Sequence, residues 1–197
     1  MRPTAIAGTT ALAALLCAGC NKTAENTLNY KSAINAYYSA HPSCLWPESK
    51  KFPLQVAASN TDQDAPYAAL VDNGLLVRST SEKRIILVDK RETNYDLSDA
   101  GRSAWTADQS QPGFGNFCYG QRNVSSIDST TQNNGQPGAT SVVVYHYTFS
   151  GAPSWAQNAE VQNAFPRLRT DLNGNGVATK TLVDTTNGWQ VKTTITE

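Results

Sequence analysis

Residues 140–149, TSVVVYHYTF, constrain the fold more than any other stretch of this chain. They are mostly β-branched or aromatic and contain no Gly, Pro or charged side chain, the composition of a strand. Alternation puts Val142, Val144, His146 and Thr148 on one face and Val143, Tyr145, Tyr147 and Phe149 on the other. Both faces are largely apolar, so the strand is expected in the middle of a sheet.

Its neighbours in sequence supply the rest of that sheet. FCYGQRNVSSIDST, 117–130, reads as a strand, and NNGQPGA, 133–139, is dense in turn residues. APSWAQNAEVQNAFPRL, 152–168, reads as a helix from Pro153 to Ala164, with Trp155, Ala159, Val161, Phe165 and Leu168 on its buried side and Pro166 stopping it. VATKTLVDT, 177–185, and WQVKTTIT, 189–196, read as strands joined by a TNG hairpin turn. The order β-β-α-β-β predicts an antiparallel sheet with one helix laid across it.

The first half opens on a helix, because Tyr30, Ala33, Ile34, Tyr37 and Tyr38 recur on one helical face. His41-Pro42 ends it. The tyrosine stripe is read as core, with a binding stripe as the alternative. An irregular segment follows, 43–56, in which Trp46 and Phe52 are expected to pack near Cys44. Next come a short helix ending at Gly74, strand candidates at VRST, RIILV and NYDL, and a helical turn at SDAGRSAW with Ser98 as N-cap. ALVDNGLL and YDLSDAGR in this order resemble the winged-helix pattern. That resemblance implies a DNA-binding fold, which places a helix in the major groove.

The N-terminus argues against that use. Arg2 precedes an uncharged, largely apolar run from Ala5 to Ala18, too short to span a bilayer and of the form of a secretory signal. It ends in Leu15, Leu16, Cys17, Ala18, Gly19 and Cys20, which resembles the lipobox of bacterial lipoproteins, with Cys17 where the usual box has Leu. The resemblance implies removal of residues 1–19 and acylation of Cys20. Asn21, in place of an Asp that would retain the protein in the inner membrane, implies the periplasmic face of the outer membrane. The membrane is then a partner through the lipid anchor. Of four cysteines, Cys17 leaves with the signal and Cys20 takes the lipid, so Cys44 and Cys118 remain as an even pair in an oxidising compartment. A disulfide between them is the expectation, and two free buried thiols the alternative. NFCYG, PSWAQNAEVQNAFP and NGWQV together resemble an uncharacterised family of proteobacterial lipoproteins. Those motifs carry no chemistry of their own.

The expected organisation is a signal peptide over 1–19, a tether over 20–27, a winged-helix-like part over 28–110 and a sheet-plus-helix part over 111–197. The fold class is α+β, with the two halves joined by the disulfide. Of the chain's 197 residues, 178 remain after the first 19 are removed, enough for one domain or two small ones sharing a core.

The chain carries 16 basic and 16 acidic residues, and loss of Arg2 leaves 15 against 16. Within 78–102, six basic residues face five acidic ones. Nothing here forms the basic face that nucleic acid requires, and no nucleic-acid partner is expected. Candidate chemistry is sparse. His146 is the one candidate base, and neither Asp128 nor Glu160 stands at a recognisable spacing from it. His41 closes a helix, where it can meet the last carbonyls. Asp171, Asn173, Asn175 and Gly176 open like an EF-hand loop, but Leu182 occupies the place of its bidentate Glu. Two cysteines and two distant histidines lack the compact spacing of a zinc site. No cofactor or metal is expected. The reading that results is a non-catalytic envelope lipoprotein contacting another envelope protein or the cell wall. The alternative is a small hydrolase or ligand-binding protein that uses His146.

Overall fold

The computed structural model describes residues 26–57, 61–85, 88–131 and 138–193. The signal segment 1–19, Cys20 and the tether up to 25 lie outside the described residues. So do 86–87 of the RIILV strand, 132–137 of the turn-rich segment and 194–197 at the end of the last strand.

Helix α1, Thr27–Ala40, starts where the Asn26 side chain accepts a hydrogen bond from the Asn29 amide at 2.8 Å. It buries Tyr30, Ile34 and Tyr38, spaced by four, so this part of the stripe is core, whereas Tyr37 is half-buried. The chain then forms β1 (Ser43–Cys44), β2 (Lys50–Lys51) and β3 (Leu54–Ala57). Helix α2 (Thr61–Asp72) ends in a turn where Gly74 takes φ +73°, leading into the hairpin β4 (Leu76–Ile85) and β5 (Val88–Leu97). Ser98 caps α3 (Asp99–Ala104) by accepting from the Gly101 amide at 2.8 Å. Strands β6 (Trp105–Ala107), β7 (Phe114–Thr130) and β8 (Thr140–Ser150) follow. After a 3₁₀ turn at Ser154–Gln157 come α4 (Ala159–Ala164), α5 (Pro166–Leu172), β9 (Gly176–Thr185) and β10 (Gly188–Val191).

The fold is α+β and its strands pair antiparallel. The larger sheet runs β1-β7-β8-β9-β10, with β2 and β6 also on β7; the smaller one runs β3-β5-β4. Cys44 and Cys118 face each other across β1 and β7 and are joined by a disulfide. Strands from both sides of residue 110 therefore share the sheet that β7 anchors.

Three expectations change. Strand β8 is interior to the sheet, but only one of its faces is buried: Val143 and Tyr145 are enclosed, whereas Val142 and His146 are exposed. The expected helix over 153–164 is two short pieces, the 3₁₀ turn and α4, with α5 following. Asn158 interrupts it by turning its side chain back to accept from the Glu160 amide at 2.8 Å, a local bond that competes with helix. Pro166 ends α4, which stops at Ala164 as expected, and also starts α5, where its missing N–H costs nothing. The helix that packs on β7, β9 and β10 is α1, from the other end of the chain, whereas α4 packs on α2.

Two clusters of buried side chains result. One holds Leu70, Leu76, Tyr95, Phe117, Tyr119, Val161 and Leu168. Trp46 lies against it, among the rings of Phe52, Tyr67, Phe117 and Phe165. The other holds Tyr30, Ile34, Tyr38, Val124, Val143, Tyr145 and Leu182 under α1. Strand β7 serves both because it carries an extra residue opposite Ser43–Cys44. The bulge changes the alternation, so odd-numbered Phe117 and Tyr119 and even-numbered Val124 are all buried. It needs Gly120, whose φ is +131° and whose absent Cβ would lie 2.4 Å from the Ser150 carbonyl oxygen.

Candidate functional site

The bulge also sets the geometry of a cavity of about 320 Å³ beside the C-terminal end of α1. Beyond Gly120, β7 directs Arg122 to the same side as Tyr119, and both side chains reach Asp171 on α5. The Tyr119 hydroxyl donates to Asp171 Oδ2 at 2.8 Å, and Arg122 Nη2 donates to Oδ1 at 3.2 Å. Asp171 is buried at 6 % side-chain exposure and Arg122 is at 29 %. Arg167, one turn earlier on α5, keeps its Nε 4.0 Å from Asp171 Oδ2 and is largely solvated.

Aromatic rings hold the cations from the other side. The Arg122 guanidinium lies 4.5 Å from the Tyr147 ring centroid and 5.9 Å from that of Tyr38. On β9, even-numbered Ala178, Lys180 and Leu182 turn inward, and the Lys180 ammonium sits 4.4 Å from the Tyr37 centroid. Among the described residues, no carboxylate pairs with Lys180. Tyr37 also stacks with His41 at 4.4 Å. His41 donates from Nδ1 to the Tyr37 carbonyl oxygen at 2.8 Å, which fixes that nitrogen as the protonated one. Tyr37, Tyr38, His41, Arg122, Arg167 and Lys180 all line the cavity.

The electrostatics follow from these partners. Burial works against charge on Arg122, but the Asp171 carboxylate and the neighbouring tyrosines outweigh it and raise its pKa. Burial and then Asp171 push the Tyr119 hydroxyl well up. Burial and the Tyr38 hydroxyl, 2.7 Å away, do the same for Tyr145. Tyr119 and Tyr145 therefore stay neutral at physiological pH, and Arg122 stays charged.

The residues singled out from sequence lie elsewhere, with His41 and Asp171 as exceptions. His146 is on the open face of β8, half exposed, with Asp128 Oδ2 3.1 Å from its Nε2. Sequence spacing hides that pair because β7 is irregular between Ile127 and Ser129, which brings Asp128 beside the histidine. His146 lines none of the described cavities. Asp171, first residue of the calcium-like loop, points into the protein, and Leu182 is fully buried. Cys44 and Cys118 line a second cavity of about 350 Å³ with Trp46, Asp108 and Asn116. Among the described residues no three His, Cys, Asp or Glu side chains cluster as metal ligands, and no helix is long and apolar enough to cross a membrane.

Arg122, Arg167 and Lys180 were not legible as a set. They stand far apart in sequence, and only the β7 bulge, α5 and β9 bring them together. Comparison with known protein families, curated proteins and solved structures finds no match for this chain.

Proposed function

We propose that the chain is a cell-envelope lipoprotein that acts as a non-catalytic binding module. The observation that carries this reading is the Cys44–Cys118 disulfide, which closes a sequence separation of 74 residues. Such bonds persist in secreted and periplasmic proteins and are rare where glutathione keeps thiols reduced. The lipobox-like segment supports the same address by an independent route. In this reading residues 1–19 are removed, Cys20 carries the lipid, and Asn21 directs the protein to the periplasmic face of the outer membrane, as in the proteobacterial lipoproteins it resembles. The partner is an envelope protein or the cell wall. The winged-helix-like order of α2, the β4–β5 hairpin and α3 serves as a contact surface and not as a DNA reader, because the chain as a whole has no surplus of positive charge.

The alternative, a small hydrolase built on His146, has one observation in its favour: the Asp128 carboxylate within hydrogen-bond reach. A base so placed also needs a cleft that excludes water and a group for it to activate. The pair stands half exposed on an open sheet face.

Metabolic labelling with palmitate tests the anchor. The wild-type protein incorporates label and fractionates with the outer membrane, and Cys20→Ser does neither. Equal labelling of the two, or recovery of wild type in the soluble cytoplasm, overturns the reading.

A further inference from the structure

We propose that the cavity between α1, β7, α5 and β9 binds the phosphate group of a small anionic ligand, with Arg122, Arg167 and Lys180 as its cationic contacts. The inference goes beyond the envelope reading and does not depend on the lipid anchor.

Charge is the first argument. Arg122, Arg167 and Lys180 converge on one cavity and, among the described residues, meet a single carboxylate, Asp171. Two positive charges remain uncompensated, in a chain whose full complement is balanced at 16 against 16. The carbonyl end of α1 offsets roughly half a charge at most. A local surplus in a neutral protein is not a by-product of composition.

Preorganisation is the second. A ring face attracts a cation without neutralising it. Lys180 is held on Tyr37, and Arg122 on Tyr147 with its far edge on Asp171. Both are thereby fixed in position, with the Lys180 charge left available to an incoming anion and Arg122 offering the N–H groups that Asp171 does not take, so less side-chain freedom is lost on binding. Tyr37 is already engaged by His41 and Lys180, so the ligand is held by charge and not by stacking on that ring.

Size and charge matching give the ligand class. About 320 Å³ is at the small end of ligand pockets and takes a metabolite or a single headgroup, not a polymer. A phosphate monoester carries about −1.5 to −2 charges near pH 7, which matches the surplus. A monocarboxylate would leave a positive charge unpaired.

The test is isothermal titration of the oxidised full chain with inorganic phosphate, glycerol 3-phosphate, phosphatidic acid vesicles and acetate. Lys180→Gln and Arg167→Gln are the informative variants, because both side chains reach solvent and circular dichroism checks their folding. The expected result is saturable one-to-one binding of phosphate or its ester, weakened roughly tenfold by either substitution, as for loss of one charge-assisted contact. Binding of glycerol 3-phosphate without vesicles assigns a soluble ester, and binding of both assigns a headgroup; each supports the site. Absence of saturable binding by every phosphate probe overturns it. So does wild-type affinity in both variants, or acetate binding as tightly as phosphate.

Discussion

Replacing Asp171 by Asn tests whether the buried carboxylate holds α5 to β7. The substitution keeps the shape and removes the charge. Asp171 is 6 % exposed and accepts from both Tyr119 and Arg122. Removing one partner of a buried ion pair costs about 3–5 kcal/mol, because it leaves the other charge uncompensated. Arg122 retains 29 % exposure and two ring faces, so part of that penalty is relieved by water and by Tyr147. The expected loss is about 2–3 kcal/mol. With a urea dependence of about 2 kcal/mol per molar, the unfolding midpoint falls by roughly 1–1.5 M. Arg122→Met, tested alone and with Asp171→Asn, completes a cycle. The double variant should be less destabilised than the sum of the singles by about 1–2 kcal/mol, since neither then leaves a lone buried charge. Additive effects, or a loss under about 0.5 kcal/mol for Asp171→Asn, would refute the argument that this pair fastens the two elements.

Other outcomes follow from the same structure. Gly120→Ala should lower stability by about 2–3 kcal/mol in thermal unfolding, since the new Cβ meets the Ser150 carbonyl and φ is +131°; a neutral result would show that the bulge relaxes freely. Replacing both Cys44 and Cys118 by Ala should cost about 4 kcal/mol in urea unfolding, from the loop of 74 residues no longer closed in the unfolded chain. Tyr95 is fully buried and donates its hydroxyl to Asp64, and burial first, then that carboxylate, raises its pKa to about 12. Because the folded value lies above the ordinary 10, the unfolded chain loses this proton first, so stability is full below pH 10 and declines as pH rises toward 12. Absorbance and unfolding followed together through that window check the sign. The Asp108 carboxyl, bonded to Ser110 and Ser49, is held at about 2, and Ser110→Ala should raise its titration midpoint by NMR.

Sequence pattern made some elements plain and hid others, for identifiable reasons. The α1 stripe and the Ser98 cap depend on contacts within a few residues, so local chemistry suffices to place them. The even pair of cysteines left after the lipobox reading was enough to expect the bond that joins β1 to β7. The 153–164 helix was misread because Asn158 and Pro166 act as starts as well as stops, and only tertiary packing selects between those roles. The cationic cavity was illegible because its side chains come from four elements brought together across a bulge. A residue added to one strand changes which side chains face inward, yet leaves hardly a trace in hydrophobic alternation. Gly120 was the available signal, a glycine inside an otherwise strand-like run.

The intact mass of the protein isolated from its own cells tests the account most directly. The expected species begins at Cys20, is heavier than residues 20–197 by a diacylglyceryl and an acyl group, and gains two reactive thiols only after reduction. A species that starts at Met1, carries no lipid and reacts with thiol reagents without reduction would contradict it.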